Sequence, residues 1–261
     1  MTTFVQHTFN GKYTILVPDF IVPELPPSPF HQGRLDSMHE LLKPGDIYFD
    51  IGTELGWLAP LFAKLVGAEN MCLFEPSEVS WPNIKATWKE NGLATPKATY
   101  WGFLGSLRGV RPEDKRNWYK ERHFKGIPTQ EIYGKVREWD TVNGWPAVAY
   151  ASNLVQKPAY RCLIECPYHR ATTLDAWVED TGIVPRALGM NIEGAEAMVL
   201  EGGQEVFKKY HPLVWVGMHV NNGALANGYG ATQEELVQLM ERCGYKAKFL
   251  EMSYEHWWLF Q

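Results

Sequence analysis

The sequence has little excess charge of either sign, no long apolar run and few cysteines, and each shortage narrows what the chain can be. Lys and Arg number 25 against 30 Asp and Glu, a net charge of −5. That balance is too mild to make nucleic acid or an anionic membrane an obligatory partner. No apolar stretch approaches the roughly 18 residues that a membrane helix needs. The opening residues, Met1 to His7, lack the basic and apolar regions of a secretion signal. A cytoplasmic chain with no membrane span is the expectation. The 4 cysteines are scattered, and Cys162-x-x-x-Cys166 has no second pair. Zinc is therefore not expected, and free thiols are the default. Aromatic residues, by contrast, are plentiful: 13% of the chain, including 11 tryptophans. Most belong in a core, and the remainder would suit stacking on a sugar or another planar group.

The most informative segment is Asp50-Ile-Gly-Thr-Glu-Leu-Gly56, which follows the apolar run Ile47-Tyr48-Phe49 and leads into an amphipathic stretch, 57–66. That pattern reads as strand, glycine turn and helix. A second apolar run, Met71 to Phe74, ends in Glu75. In an open α/β sheet ligands sit outside the carboxyl ends of the strands, so Asp50 and Glu75 are expected to face one crevice. Glu75 at the second strand end suits the two hydroxyls of a ribose. A dinucleotide fingerprint would carry a glycine where Glu54 stands, with a diphosphate against the helix amino terminus. A carboxylate about 4 Å from a phosphate would cost on the order of 4 kcal/mol at an effective dielectric of about 20. S-adenosylmethionine has no phosphate, and its sulfonium and ammonium suit Asp50 and Glu54. The spacing of Gly52 and Gly56 thus favours a methyl donor over a nicotinamide dinucleotide. Read blandly, the same residues are an ordinary turn with a helix-start acid.

Along the 261 residues, one α/β domain is expected over 1–261, with an amino-terminal extension, 1–46, and an insertion, 105–170. The extension holds a strand (13–17), a proline-rich connector and a helix (34–42). Strands are expected at 47–51, 71–75, 98–104, 186–192 and 212–219, with a terminal strand pair at 245–250 and 255–260. Helices are expected at 57–66, 80–92, from Thr172 onward, from 193–196 through Leu200, and at 232–243. This alternation implies a mostly parallel sheet, to which the terminal pair adds an antiparallel strand. The insertion has no clean period. Residues 108–125 hold seven Lys or Arg against three acids, and a cover over the acceptor site is the expected role.

Three blocks together resemble the FkbM family of class I S-adenosylmethionine-dependent methyltransferases. They are Pro44-Gly45-Asp46 through Gly56, Phe74-Glu75-Pro76, and Thr173-Leu174-Asp175 with Ile192-Glu193-Gly194-Ala195-Glu196. Val199-Leu200-Glu201-Gly202 and Pro212-Leu213-Val214 agree as well. The resemblance implies a Rossmann-like, seven-stranded sheet and O-methylation, typically of a sugar hydroxyl on a glycan or small-molecule acceptor. It also implies that Asp50, Gly52 and Gly56 meet the methionine end of the cofactor and Glu75 its ribose. The chain departs from the family where an aspartate usually precedes the Ile-Glu-Gly block: it has Gly189 and Asn191. An amide is no general base, and is at best a neutral oxygen ligand for a divalent metal.

Methyl transfer to an alcohol needs the acceptor oxygen positioned and its proton removed. Glu193, Glu196 and His219 follow the fourth and fifth expected strands, so they are the candidate catalytic residues. Glu193 has a second reading as the cap of the following helix, His219 as a satisfied structural histidine, and His169 is a weaker acceptor-side candidate. Two other functions stay open on the sequence. One is a non-catalytic binding module, motivated by Asn191. The other is nucleic-acid methylation, supported by the basic stretch but not by any Asn-Pro-Pro-Tyr or Asp-Pro-Pro-Tyr motif.

Overall fold

A computed structural model of the chain describes residues 3–25, 29–105, 141–150, 171–219, 231–253 and 255–261. The basic stretch at 108–125, Cys162, Cys166 and His169 lie outside the described residues.

An antiparallel hairpin comes first, β1 (Phe4–Phe9) with β2 (Tyr13–Pro18). Its turn uses Asn10 and Gly11, both at positive φ (51° and 68°), the pair that primed hairpin turns prefer. Helix α1 (Gln32–Leu41) follows. Then come β3 (Tyr48–Ile51), α2 (Ala59–Val66), β4 (Met71–Glu75), α3 (Trp81–Glu90) and β5 (Ala98–Trp101). The expected strand at 98–104 is divided. At Gly102 the chain leaves the main sheet, and β6 (Phe103–Gly105) pairs instead with β9 (Ala171–Thr173), while β7 (Thr141–Val142) and β8 (Trp145–Pro146) form a small hairpin. Thr173 closes β9 and caps α4 (Leu174–Thr181): its hydroxyl accepts from the Ala176 amide at 3.1 Å. An amino-terminal cap keeps extended torsions, so one threonine serves both elements.

The remaining elements are β10 (Ala187–Met190), α5 (Glu196–Gly202), α6 (Gln204–Tyr210), β11 (Leu213–Met218), α7 (Gln233–Arg242), β12 (Ala247–Met252) and β13 (His256–Phe260). Seven strands hydrogen-bond in the order β12-β13-β11-β10-β3-β4-β5. Neighbours from β11 to β5 pair in parallel, and β13 runs antiparallel to both β11 and β12.

Every residue of β3, β4, β10 and β11 is buried, as expected of parallel strands covered on both faces. Alternate side chains feed two cores. Tyr48, Leu73, Trp215 and Trp257 pack on one face against α1, α2 and α3, among them Met38, Phe62 and Trp88. Phe49, Phe74, Leu188 and Val214 pack on the other face against α4 to α7. Trp177 makes edge contacts with Phe49 and Phe74 at 5.0 and 4.9 Å between ring centroids. Such aromatic pairs are each worth about 0.5–1.5 kcal/mol beyond their buried area. Helix α7 opens with a capping box, Thr232 and Glu235, and buries Leu236, Leu239 and Met240.

Candidate active site

The parallel strands β3, β4, β10 and β11 all end on one side of the sheet, and their carboxyl ends carry the acids expected from the sequence. Asp50 lies within β3, and Glu75 closes β4. The turn after β3 is fastened to β4, because the Gly52 and Thr53 amides both donate to the Phe74 carbonyl, at 2.9 and 3.1 Å. Gly52 has φ +83°, and a Cβ there would lie 2.5 Å from Ile192 Cγ2 and 2.6 Å from the Asn191 carbonyl. The first requirement for glycine here is thus the close approach of the turns after β3 and β10. Gly56 similarly admits α3, whose Ile84 Cα would stand 2.8 Å from an added Cβ.

Glu75, 3% exposed, accepts from the Glu54 amide through Oε2 and from the Ser77 amide through Oε1, both at 2.8 Å. Burial pushes its carboxyl up to about 8, against the pull of those amides and with help from Glu54 and Asp50. A carboxylate can accept about four hydrogen bonds, so lone pairs remain for hydroxyl donors. Asp50 is also raised by burial, to about 6, with Arg34 and the Thr53 hydroxyl pulling the other way. Glu54 is held at positive φ (55°), and its Oε2 accepts from Trp57 Nε1 at 2.9 Å. Asp50 and Glu75 thus meet where the sheet opens, in an environment that resists their charging, with Glu54 beside them.

A second group stands at the ends of β10 and β11. His219 donates from Nδ1 to Glu196 Oε1 at 2.8 Å, and its Nε2 lies 3.6 Å from both Glu193 Oε1 and Glu255 Oε1. Burial works against the imidazolium, but the hydrogen bonds and charges of Glu193 and Glu196 carry its pKa up to about 10. Helix α5 starts at Glu196, and its N-cap residue is Ala195, whose side chain makes no capping hydrogen bond. Glu193 sits at φ 56° with its side chain 55% exposed, while Glu196 folds back to accept from the Ile192 and Gly194 amides at 3.2 and 3.3 Å. Asn191 Nδ2 contacts Glu255 Oε1 at 3.4 Å. Among the described residues, no cluster of three or more His, Cys, Asp or Glu side chains is arranged to hold a metal ion. No described helix is long and apolar enough to cross a membrane.

The family model described as the methyltransferase FkbM domain matches residues 159–247. That match is to the carboxyl-terminal part of the chain. The FkbM match takes in Glu193, Glu196 and His219, while Asp50, Glu54 and Glu75 precede it. A search of curated proteins gave no significant match. Among solved structures, the chain is similar to the methyltransferase FkbM from Methylobacillus flagellatus KT, with 11% identity over 87% of this chain and 50% of that one and a TM-score of 0.48. It is also similar to M. jannaschii TYW2 in complex with AdoMet, with 10% identity, coverage of 100% and 84%, and a TM-score of 0.43. For Trm5b from Pyrococcus abyssi the values are 12%, 99%, 55% and 0.42. The chain spans half the length of the Methylobacillus FkbM structure. At these identities and scores, what those proteins bind or modify does not transfer to this chain.

Two contributors to the site are absent from the sequence-based expectation, Glu255 and Arg34. The register Met218↔His256 sets residue 219 beside residue 255. Arg34 of α1 influences both Asp50 and Glu255 electrostatically. Neither lies in a motif; both are brought in by topology.

Proposed function

We propose that the chain is an S-adenosylmethionine-dependent O-methyltransferase acting on a hydroxyl of a sugar or glycan-type acceptor. The observation that carries this reading is the acid-lined crevice at the strand ends. Glu54, where a dinucleotide fingerprint carries glycine, disfavours a diphosphate, and Asp50 and Glu75 offer what cationic and hydroxyl-donating groups need. The residues therefore suit the methyl donor, which supplies, when bound, a methyl group on an electrophilic sulfonium. Asp50 would hold its ammonium, and the remaining lone pairs of Glu75 would accept from the ribose hydroxyls.

On the acceptor side, Glu193 is the exposed carboxylate of its cluster, and Oε1 is the atom that takes the acceptor hydroxyl's proton. His219 is a poor base, since a group with a pKa near 10 is already protonated at neutral pH. Its part is to hold Glu193, Glu196 and Glu255 together as a cation among carboxylates. Glu196, bound to two turn amides and to His219, fixes the loop that presents Glu193.

The test is incubation with labelled methyl donor and a panel of glycans, other alcohols and tRNA. Label transfer to a hydroxyl, abolished in Glu193→Gln with donor binding intact, is the expected result. Transfer to a nucleobase would replace the reading, and donor binding without transfer to any acceptor would make the chain a binding module.

A further inference from the structure

Arg34 is a cation held inside the protein. The residue is 3% exposed, with its guanidinium carbon 4.1 Å from the Trp257 ring centroid and 5.0 Å from that of Phe62. Its backbone is tied down as well, since the Arg34 amide donates to Glu251 Oε1 at 2.9 Å. Yet among the described residues Arg34 forms no ion pair, and its Nε finds no hydrogen-bond partner; the polar group that faces the guanidinium is the Tyr48 hydroxyl. A guanidinium buried with its Nε unpaired carries a desolvation penalty, which an anionic ligand would offset.

The location says which anion. Arg34 Nη2 and Tyr48 Oη both stand over Gly189, where an added Cβ would lie 3.5 Å from the first and 2.1 Å from the second. Gly189 is the register partner of Asp50 on the neighbouring strand, and register partners project to the same face of a parallel sheet. The donors therefore lie beside the Asp50 carboxyl, at the floor of the crevice. An acid for an ammonium beside a guanidinium for a carboxylate is the complement of an α-amino acid. Arginine is suited to this task because its fork matches a carboxylate with two parallel hydrogen bonds. It also explains why a residue with no side chain stands at position 189: the space is taken by Tyr48 and Arg34.

We infer that Arg34, with the Tyr48 hydroxyl, binds the carboxylate at the methionine end of the cofactor while Asp50 faces the adjoining ammonium. The inference rests on the proposed donor. A carboxylate on the acceptor is the other source of the same chemistry, and the experiment separates the two.

Wild type, Arg34→Met and Arg34→Lys are titrated calorimetrically with S-adenosylhomocysteine and with its decarboxylated analogue, S-adenosylthiopropylamine. Thermal melts of the ligand-free proteins run alongside. Wild type should prefer S-adenosylhomocysteine by about tenfold to a hundredfold, the range for a charge-assisted pair. Arg34→Met should erase that preference, leave the analogue's affinity unchanged, and melt no lower than wild type when ligand-free. Arg34→Lys should keep part of the preference. Equal loss of both ligands in Arg34→Met would assign Arg34 a structural role and overturn the inference. So would a preference that survives the substitution, which would move Arg34 to the acceptor. Wild type binding both ligands equally would overturn the carboxylate assignment and leave the cofactor reading standing. Wild type binding neither would overturn both.

Discussion

Replacing His219 by asparagine should change stability in a strongly pH-dependent way. An amide nitrogen can stand where Nδ1 does, so the 2.8 Å donation to Glu196 is kept and the charge is lost. In the folded protein the imidazolium pKa is raised from 6.5 to about 10, and a raised histidine stabilises the fold while it is charged. That stabilisation is complete below about pH 6.5 and is lost as pH rises through about 10. At roughly 1.4 kcal/mol per unit, the shift has a ceiling of about 5 kcal/mol. Glu193 is 55% exposed, and solvent screening of that partner brings the expectation to about 2–4 kcal/mol. The assay is urea unfolding of both proteins at pH 6 and pH 10.5, with the difference between them taken at each pH so that other titrating groups cancel. His219→Asn should cost about 2–4 kcal/mol at pH 6 and close to nothing at pH 10.5. A loss of equal size at both values would refute the reasoning, as would an NMR titration of the His219 ring with its midpoint near 6.5.

Glu75 should show a dependence of the same sign in a lower pH window. Its carboxyl is raised from 4.5 to about 8, so the ligand-free fold loses stability as pH rises between those values, and Glu75→Gln should gain on wild type by a few kcal/mol from pH 5 to pH 8.5 (~1.4 kcal/mol per unit); parallel melting curves at both pH values would contradict this. Gly52→Ala should destabilise by at least ~2 kcal/mol or fail to fold, because the new Cβ meets Ile192 and the Asn191 carbonyl at a left-handed φ, and a melting temperature within a degree of wild type would contradict it. Trp177→Ala should cost about 3–5 kcal/mol in chemical denaturation, since it empties a site between Phe49 and Phe74. Glu193→Gln should lower kcat by about 10²–10⁴-fold with donor affinity unchanged; a variant that instead loses donor affinity would place Glu193 on the cofactor side.

Strands β3, β4, β10 and β11 were legible because each is a short, nearly unbroken apolar run, the pattern of a strand buried on both faces. Helix α7 was legible from Thr232 and Glu235, whose reciprocal capping is local in sequence. Strand β1 was not, because its inward and outward residues alternate weakly, although Asn10-Gly11 offered a usable hairpin signal. The division at Gly102 depends on β9, some seventy residues onward, which no local window contains. In the site, Asp50, Glu54 and Glu75 could be read because they sit on strand ends in a recognisable order. Arg34 and Glu255 could not, since α1 and the β12–β13 connection reach the crevice through packing and sheet order. The role of Glu196 also escaped the sequence: glutamates at 193 and 196 look interchangeable until the backbone turns one outward and folds the other onto the Ile192 and Gly194 amides.

The measurement that bears most directly on the central claim is calorimetric titration of wild type and Glu75→Ala with S-adenosylhomocysteine, with NADH as a second ligand. The account predicts binding in the micromolar range for wild type, a loss of about tenfold or more in Glu75→Ala from missing hydrogen bonds to the ribose, and no heat with NADH. Wild type that ignores S-adenosylhomocysteine, or Glu75→Ala that binds it as tightly as wild type, would contradict the account.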